Sequence, residues 1–215
     1  MDRWASFDCY GTLIDWDGGV RAELASVFGD DRADGLLADY HAIEPELQAS
    51  GELSYRQVLT ETMRRLGAPD GKEHGLADSL PAWRAFPEVR AALDELRRRG
   101  WKLAILSNTD DDFIAASQVQ IGLVFDEVVV AQEIGSYKPG HRHWEEFFRR
   151  TNAPRDGHVH VAASLFHDIA PANELGLRSI WINRLGEASG DGAHPMRELP
   201  DLVELPETLD DLVPA

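Results

Sequence analysis

The sequence predicts an α/β protein in which an open parallel sheet carries an inserted helical cap. The first observation is a series of short apolar runs with helix-length segments between them, a pattern typical of parallel strands joined by helices. The second is the long segment from Trp16 to about Arg84, which follows the first run and contains no convincing strand. The strand-like runs lie at residues 4–10, 102–108, 126–131, 158–164 and 178–183.

The position of the strand-free segment predicts two domains. Residues 1–15 and 85–215 are expected to form the sheet core, and residues 16–84 the cap. Two linkers, near residues 15–19 and 83–86, are expected to join them. A length of 215 residues suits one α/β domain with such an insertion.

Two of the predicted helices are justified by their ends. Residues 54–67 open with Ser54 and Gln57 in the spacing of a capping box. The helix that starts near Pro87 has apolar side chains recurring along one face and a C-terminal stop at Gly100. Further helices are predicted at 19–29, 33–49, 139–151 and 169–176, with a loop at 67–75.

Composition narrows the classes of function. The net charge of −17 repels phosphate backbones, so nucleic acid is not an expected partner. The single cysteine, Cys9, allows no internal disulfide, which is typical of a reducing cytosol. No apolar run approaches the ~20 residues of a membrane span, and the first residues lack a signal-peptide pattern. A cytoplasmic protein that meets a small molecule and no membrane is expected.

Polar side chains follow four of the predicted strands at the points where those strands end. The carboxyl ends of parallel strands meet at one edge of a sheet, which is where ligands bind in open α/β folds. We therefore expect these side chains to converge under the cap. They are Asp8; Ser107 and Asn108; Tyr137 and Lys138; and Ser164, His167 and Asp168.

This set of residues can perform a two-step displacement. Asp8 is a candidate carboxylate nucleophile that forms an ester with the substrate. Lys138 is expected to keep Asp8 ionised and to lower its pKa, and Asp168 to pair with Lys138 and position a water for hydrolysis. Thr12 and Ser107 can donate hydrogen bonds to carboxylate or substrate oxygens.

Four motifs in order resemble the haloacid dehalogenase superfamily. They are "DCYGTL" at Asp8, "LSNTD" at Ser107, "SYKPG" at Lys138 and "ASLFHDIAPANELG" at Asp168. The resemblance covers nearly the whole chain and implies a Rossmann-like core with a cap of the family's first type. It also implies by analogy a homodimer.

Two positions separate this chain from the phosphatases of that superfamily. Their first motif resembles Asp-x-Asp, in which the second acid protonates the leaving alcohol, whereas Tyr10 stands here. Their magnesium ligand before the last motif corresponds to Ala163, which leaves Asp8 and Asp168 as the acids of the site. No metal and no cofactor are therefore expected. The His158 and His160 pair shares a strand face but has no third His or Cys nearby in sequence.

The pattern Asp-x-Tyr-Gly-Thr-Leu instead resembles the type II L-2-haloacid dehalogenases. That resemblance implies attack of Asp8 on the carbon α to a carboxylate, loss of halide to Asn108, and hydrolysis of the aspartyl ester without metal. Further candidate substrate-binding residues are Cys9, Tyr10, His41, Tyr137, Ser164 and His167. Strand alternation, however, turns the Cys9 side chain to the face opposite Asp8.

The chain departs from these dehalogenases at several positions. Ala163 and Leu165 replace a Ser and an Asn that position water, and His167 replaces a Trp. The stretch 36–48 lacks the Arg with which the family's cap meets the substrate, so His41, Tyr40 or Arg56 are the candidate substitutes. Two alternatives remain: a magnesium-dependent phosphatase with degraded metal motifs, and a non-catalytic binding protein that keeps the pocket.

Overall fold

The computed structural model describes residues 2–190 and 192–215. Its strands are β1 (Arg3–Phe7), β2 (Trp101–Ser107), β3 (Glu127–Val130), β4 (His158–Ala162), β5 (Arg178–Ile182) and β6 (Arg197–Leu199). Over the described residues they form one parallel sheet in the order β3-β2-β1-β4-β5-β6. The order in which successive strands are added to the sheet reverses between β1 and β4, and ligands bind at this switch point in sheets of this topology. The predicted fold class is confirmed.

Helices connect the strands from β1 to β5, several of them in the long segment after β1, and one helix follows β6. They are α1 (Trp16–Phe28), α2 (Asp30–Ala49), α3 (Tyr55–Arg65), α4 (Gly75–Ser79), α5 (Val89–Arg98), α6 (Asp111–Ile121), α7 (Ala131–Ile134), α8 (Arg142–Thr151), α9 (Ala170–Glu174) and α10 (Leu205–Leu212). Short 3₁₀ turns cover Leu80–Ala82 and Arg155–Gly157, and a π-helical turn covers Leu165–Ile169. The capping box of Ser54 and Gln57 is present at the start of α3.

Several elements differ from the sequence expectation. The first strand stops at Phe7 rather than Tyr10, because the chain turns sharply through Gly11 at a φ of +82°. The helix expected at 169–176 is preceded by the π-helical turn, which carries Asp168. The short strand β6 and the helices α6 and α10 were not predicted.

The sheet is covered on both faces. On one face, alternate strand residues such as Phe7, Ile105 and Val161 join the largest apolar cluster, which extends into the inserted helices α1–α4. On the other face, Trp4 and Leu106 pack against residues of α8. Burial on both faces explains why the strands read as continuous apolar runs.

The inserted helices are joined to the sheet by two adjacent connections. Asp15 donates its backbone N–H to the Arg84 carbonyl at 2.9 Å, and Phe86 donates to the Leu13 carbonyl at 3.0 Å. The two crossings therefore lie side by side, directly behind the Asp8 turn. The domain boundaries at 15/16 and 84/85 stay a prediction.

A second tie holds the inserted helices over the end of β2. The carboxylate of Asp110 accepts the backbone N–H groups of Tyr55 and Arg56, each at 2.9 Å, at the first turn of α3. A negative charge is favourable there because the helix N-terminus has free N–H groups and a positive dipole end. These hydrogen bonds fix the start of α3 above the end of β2, where Ser107 and Asn108 lie.

No helix in residues 2–190 or 192–215 combines the length and the apolar character that crossing a membrane requires.

Candidate active site

The Asp8 carboxylate lies directly beyond β1, in a turn built to present it. Thr12 donates its hydroxyl proton to Asp8 Oδ2 at 3.1 Å, while its Oγ1 accepts the backbone N–H of Ala163 at 2.9 Å. The backbone N–H of Cys9 also bonds to the Asp8 carboxylate. Thr12 is thus oriented by the chain after β4 so that its proton points at Asp8.

Lys138 links the two candidate catalytic acids. Its Nζ donates to Asp8 Oδ1 at 2.9 Å, to Asp168 Oδ1 at 2.6 Å and to the Leu106 carbonyl at 2.9 Å. An ammonium group has three donors, and all three are used here. The convergence of the segments after β1, β3 and β4 that the sequence predicts therefore brings Asp8, Lys138 and Asp168 together.

The balance of charges differs from the sequence expectation at Asp8. Burial raises the pKa of the Asp8 carboxyl, the negative charge of Asp168 adds to this, and the attraction of Lys138 only partly offsets them. Burial would also raise the pKa of Asp168, but Lys138 and His160 outweigh it and hold that pKa below its usual value. Lys138 does stabilise ionised Asp8, yet the net shift at Asp8 is upward.

Behind Asp168 runs a buried chain of hydrogen bonds. His160 Nε2 lies 2.9 Å from Asp168 Oδ1, and Ser6 Oγ lies 2.8 Å from both His160 Nδ1 and His158 Nε2. An ionised carboxylate only accepts, so Nε2 of His160 donates to Asp168. Its Nδ1 faces the Ser6 hydroxyl, which also bonds to His158. His160 is thus bonded directly to Asp168, and His158 joins the same chain through Ser6.

Replacing His160 by phenylalanine is expected to lower the free energy of unfolding by about 1–3 kcal/mol. The change removes one hydrogen-bond partner from each of the buried Asp168 carboxylate and Ser6 hydroxyl groups. Urea unfolding at pH 7 measures it. His194→Phe, at an exposed histidine, is the matched control, and equal midpoints for the two variants would contradict the prediction.

Asn108 ties the core to α2. Its Nδ2 donates to Gln48 Oε1 at 2.9 Å and to the Lys138 carbonyl at 3.0 Å, and its Oδ1 accepts the Lys138 backbone N–H at 2.7 Å. Both donors of the amide are used in this way. Asn108 lies in the site as expected, but in this arrangement its N–H groups face protein acceptors.

Above the acids lies a cavity of about 290 Å³ between the sheet edge and the inserted helices. Nine of the predicted site residues line it: Asp8, Tyr10, His41, Ser107, Asn108, Lys138, Ser164, His167 and Asp168. Six further lining residues were not predicted: Trp16, Glu44, Pro45, Gln48, Tyr55 and Phe166. The cavity is therefore walled by acids, amides and aromatic rings.

Three predicted residues do not line that cavity. Cys9 is fully buried in the apolar core, as strand alternation requires, and contributes only its backbone to the site. Thr12 lies behind Asp8 and reaches it from the protein side. The Tyr137 hydroxyl donates to the Leu53 carbonyl at 2.8 Å, which turns it towards the loop before α3.

The candidate substitutes for the cap arginine have different positions. His41 lines the cavity, but its Nε2 lies 3.1 Å from Asp17 Oδ1, and this contact raises the pKa of the imidazole. Arg56 pairs with Asp112 at 2.5 Å on the exposed side of α3. Tyr40 is fully buried and does not reach the cavity. No arginine is among the residues that line the cavity in the described parts of the chain.

The residues present do not fit the magnesium site of the related phosphatases. The facing oxygens of Asp8 and Asp168 are bridged by Lys138, and Ala163 offers no side-chain ligand. Across residues 2–190 and 192–215, no cluster of three or more His, Cys, Asp or Glu side chains suits a metal ion. We therefore derive no catalytic step through a metal.

The sheet topology and the buried Asp–Lys–Asp group under a helical insertion are those of a hydrolase of the α/β class. The family model of the haloacid dehalogenase-like hydrolases matches residues 3–176. The chain belongs to this family.

The relatives differ in how much of the chain they match. The (S)-2-haloacid dehalogenase of Pseudomonas sp. (strain YL) is 30% identical over 94% of each chain. The glyceraldehyde 3-phosphate phosphatase of Methanothermobacter thermautotrophicus is 33% identical over 50% of this chain and 49% of its own. The structure of L-2-haloacid dehalogenase from Xanthobacter autotrophicus with chloropropionic acid covalently bound shares the fold, with a TM-score of 0.83 at 21% identity over 97% and 98% of the two chains.

Proposed function

We propose that the chain is a metal-independent hydrolase that displaces halide from the carbon α to a carboxylate, through an ester on Asp8. The observation that carries the proposal is the Asp8–Lys138–Asp168 group, which faces a cavity of about 290 Å³, the size of a small molecule. The likeness over nearly full length to a bacterial (S)-2-haloacid dehalogenase supports the same chemistry.

In the first step the Asp8 carboxylate attacks the halogen-bearing carbon and halide leaves with the bonding electrons. The hydrogen bond from Thr12 and the contact with Lys138 fix the carboxylate plane, so that one lone pair faces the cavity. Displacement from the rear inverts the configuration at that carbon. The ester and free halide are the products of this step.

In the second step a water attacks the carbonyl carbon of the Asp8 ester. Asp168 Oδ2 is buried and has no hydrogen-bond partner among the described residues, which suits it to accept a proton from that water. Lys138 stabilises the negative charge that develops on the carbonyl oxygen. The bond between the aspartyl carbonyl carbon and the ester oxygen breaks. The ester oxygen leaves with the substrate and takes up a proton, which gives the 2-hydroxy acid, while Asp8 returns as a carboxylate and one proton is released.

The phosphatase alternative is disfavoured at Tyr10. Burial raises the pKa of its phenol far above the ordinary value, and its hydroxyl lies 3.1 Å from Ser117 Oγ. A phenol in that state does not exchange a proton readily with a leaving alcohol near neutral pH. Tyr10 serves here as an apolar wall, stacked on Tyr55 with 6.1 Å between ring centroids.

The test is halide release from the enantiomers of 2-chloropropionate in EDTA, with p-nitrophenyl phosphate plus magnesium as the parallel assay. Halide with inverted 2-hydroxy acid supports the proposal. Phosphate release that EDTA abolishes would replace it with the phosphatase. No turnover in either assay across a panel of haloacids would leave the binding-protein alternative.

The raised pKa of Asp8 predicts the acid limb of the pH profile. Only the ionised carboxylate attacks, so kcat/KM should fall as the pH drops through a midpoint above the ~4 of a free aspartate. Thr12→Val removes a donor to the ionised form and should move that midpoint upward. A wild-type midpoint at or below 4, or a downward move in the variant, would contradict the assignment.

Two finer proposals accompany the reaction. A cytoplasmic location is supported by the single, buried cysteine, which needs no oxidising compartment. A homodimer is supported by family analogy and is tested by light scattering of the purified chain. The reacting partners are a small carboxylate and water.

A further inference from the structure

The α2 wall of the cavity presents an acid and an amide that the reaction does not use. Glu44 and Gln48 are one helical turn apart, so they share a face of α2, and both are buried, at 3% and 5% exposure. Gln48 Nε2 donates to Glu44 Oε1, while Gln48 Oε1 accepts from Asn108 Nδ2. The amide therefore holds Glu44 in a fixed position relative to the core.

The cations around the cavity are already engaged. Lys138 is shared between Asp8, Asp168 and the Leu106 carbonyl, and His41 pairs with Asp17. The remaining basic group of the lining is His167, whose pKa is lowered by burial. A second negative charge placed beside Glu44 would thus meet an acid, with no free cation from the described lining residues to offset it.

The Glu44 carboxyl is buried and lines the cavity. Burial raises the pKa of its carboxyl to about 7, although hydrogen bonds from Tyr55 and Gln48 oppose the shift. A buried carboxylate with so few donors is stabilised by any further N–H or O–H group that enters the cavity. The aromatic rings of Tyr10 and Trp16 line the same space and favour a compact organic group.

We propose that Glu44 is a specificity residue that accepts a hydrogen bond from the substrate, so that the site prefers halogenated substrates carrying an amide, amino or hydroxyl donor. The inference rests on the proposed function for its reaction and goes beyond it in the class of substrate. It assigns the α2 wall to donor groups, so a 2-halocarboxamide is a better substrate than the matching haloacid, while the haloacid remains a substrate as the proposed function requires.

The matched pair 2-chloropropionate and 2-chloropropionamide tests the proposal, because the two differ only in the charged or donor end. At pH 8.5 the ratio of kcat/KM for the amide to that for the acid should fall at least about tenfold in Glu44→Gln. The change should lie in KM rather than in kcat, since Glu44 does not touch the reacting atoms. Glu44→Gln keeps the side-chain size and the acceptor for Gln48.

Glu46→Gln, the same substitution on the exposed side of the same helix, is the control and should leave the ratio unchanged. An equal ratio in wild type and Glu44→Gln overturns the inference while halide release keeps the proposed function. An equal fall of the amide-to-acid ratio in Glu44→Gln and Glu46→Gln also overturns the inference, because the effect would then come from the change in net charge.

A binding measurement tests the role of Glu44 independently of the proposed reaction. Ligand-observed NMR with the unreactive pair propionamide and propionate needs neither turnover nor a variant. Tighter binding of propionamide to the wild-type protein at pH 8.5 supports the role of Glu44 even where no halide is released. Tighter binding of propionate overturns it.

Discussion

Asp8→Asn will lower kcat for halide release by about 10⁴-fold or more, because the amide is too weak a nucleophile to replace the carboxylate. Asparagine has the same shape as aspartate, and its Oδ1 can still accept a hydrogen bond. KM should change much less than kcat, since the cavity walls are unaltered. Steady-state kinetics with 2-chloropropionate or its amide measures the effect.

Asp94→Asn is the control for this variant. Asp94 lies exposed on α5, paired with Arg90 at 2.7 Å, and its loss should leave kcat unchanged. A single turnover of wild-type enzyme in ¹⁸O-water gives the complementary result. The label should appear in the Asp8 carboxylate, because water attacks the aspartyl carbon of the ester. Label found only in the hydroxy acid would rule out the ester mechanism.

The parts of the site that follow strand ends were predictable from sequence. Asp8, Ser107, Lys138 and Asp168 each follow a buried apolar run, and parallel topology alone brings such positions to one edge. The strand runs were readable because both faces of the sheet are covered. The three-residue strand β6 was missed because so short a segment carries no periodic signal.

The α2 wall could not be predicted in the same way. Glu44 and Gln48 have the composition of a solvent-facing helix surface, and only the packing of α2 over the core buries them. Their i, i+4 spacing was visible, but the same spacing is common on exposed helices. Which face of a weakly amphipathic helix turns inward is decided by its neighbours.

The buried chain of hydrogen bonds behind Asp168 has a sequence signal, the positions of its residues along β1 and β4. Ser6 and His160 are register partners in adjacent parallel strands, and His158 lies two residues earlier on the same face. Period-two alternation places all three together once β1 and β4 are paired. The sequence predicts where the strands lie more readily than which strands pair with each other. The pairing of β1 with β4 was therefore not predicted, and with it the contact between Ser6 and His160.

Lys138→Met should lower the free energy of unfolding by about 3–5 kcal/mol at pH 7, the usual cost of leaving a buried charge without its partner. Asp8 and Asp168 then face each other with no cation between them. Urea unfolding measures the loss, and halide release should vanish with it. Lys102→Met is the matched control, because its ion pair with Asp2 is exposed and contributes at most about 1 kcal/mol.

The effect of Lys138→Met should grow with pH. In the wild type, Lys138 and His160 depress the pKa of Asp168, so this pairing contributes stability above the unfolded pKa that is lost as the pH falls. In the variant, burial and mutual repulsion raise both carboxyl pKa values, so the folded state binds more protons than the unfolded state and is favoured by acid. The gap between the two proteins should therefore be smaller at pH 5 than at pH 8. A gap independent of pH would mean that Lys138 stabilises the fold through packing of its stem rather than through its charge.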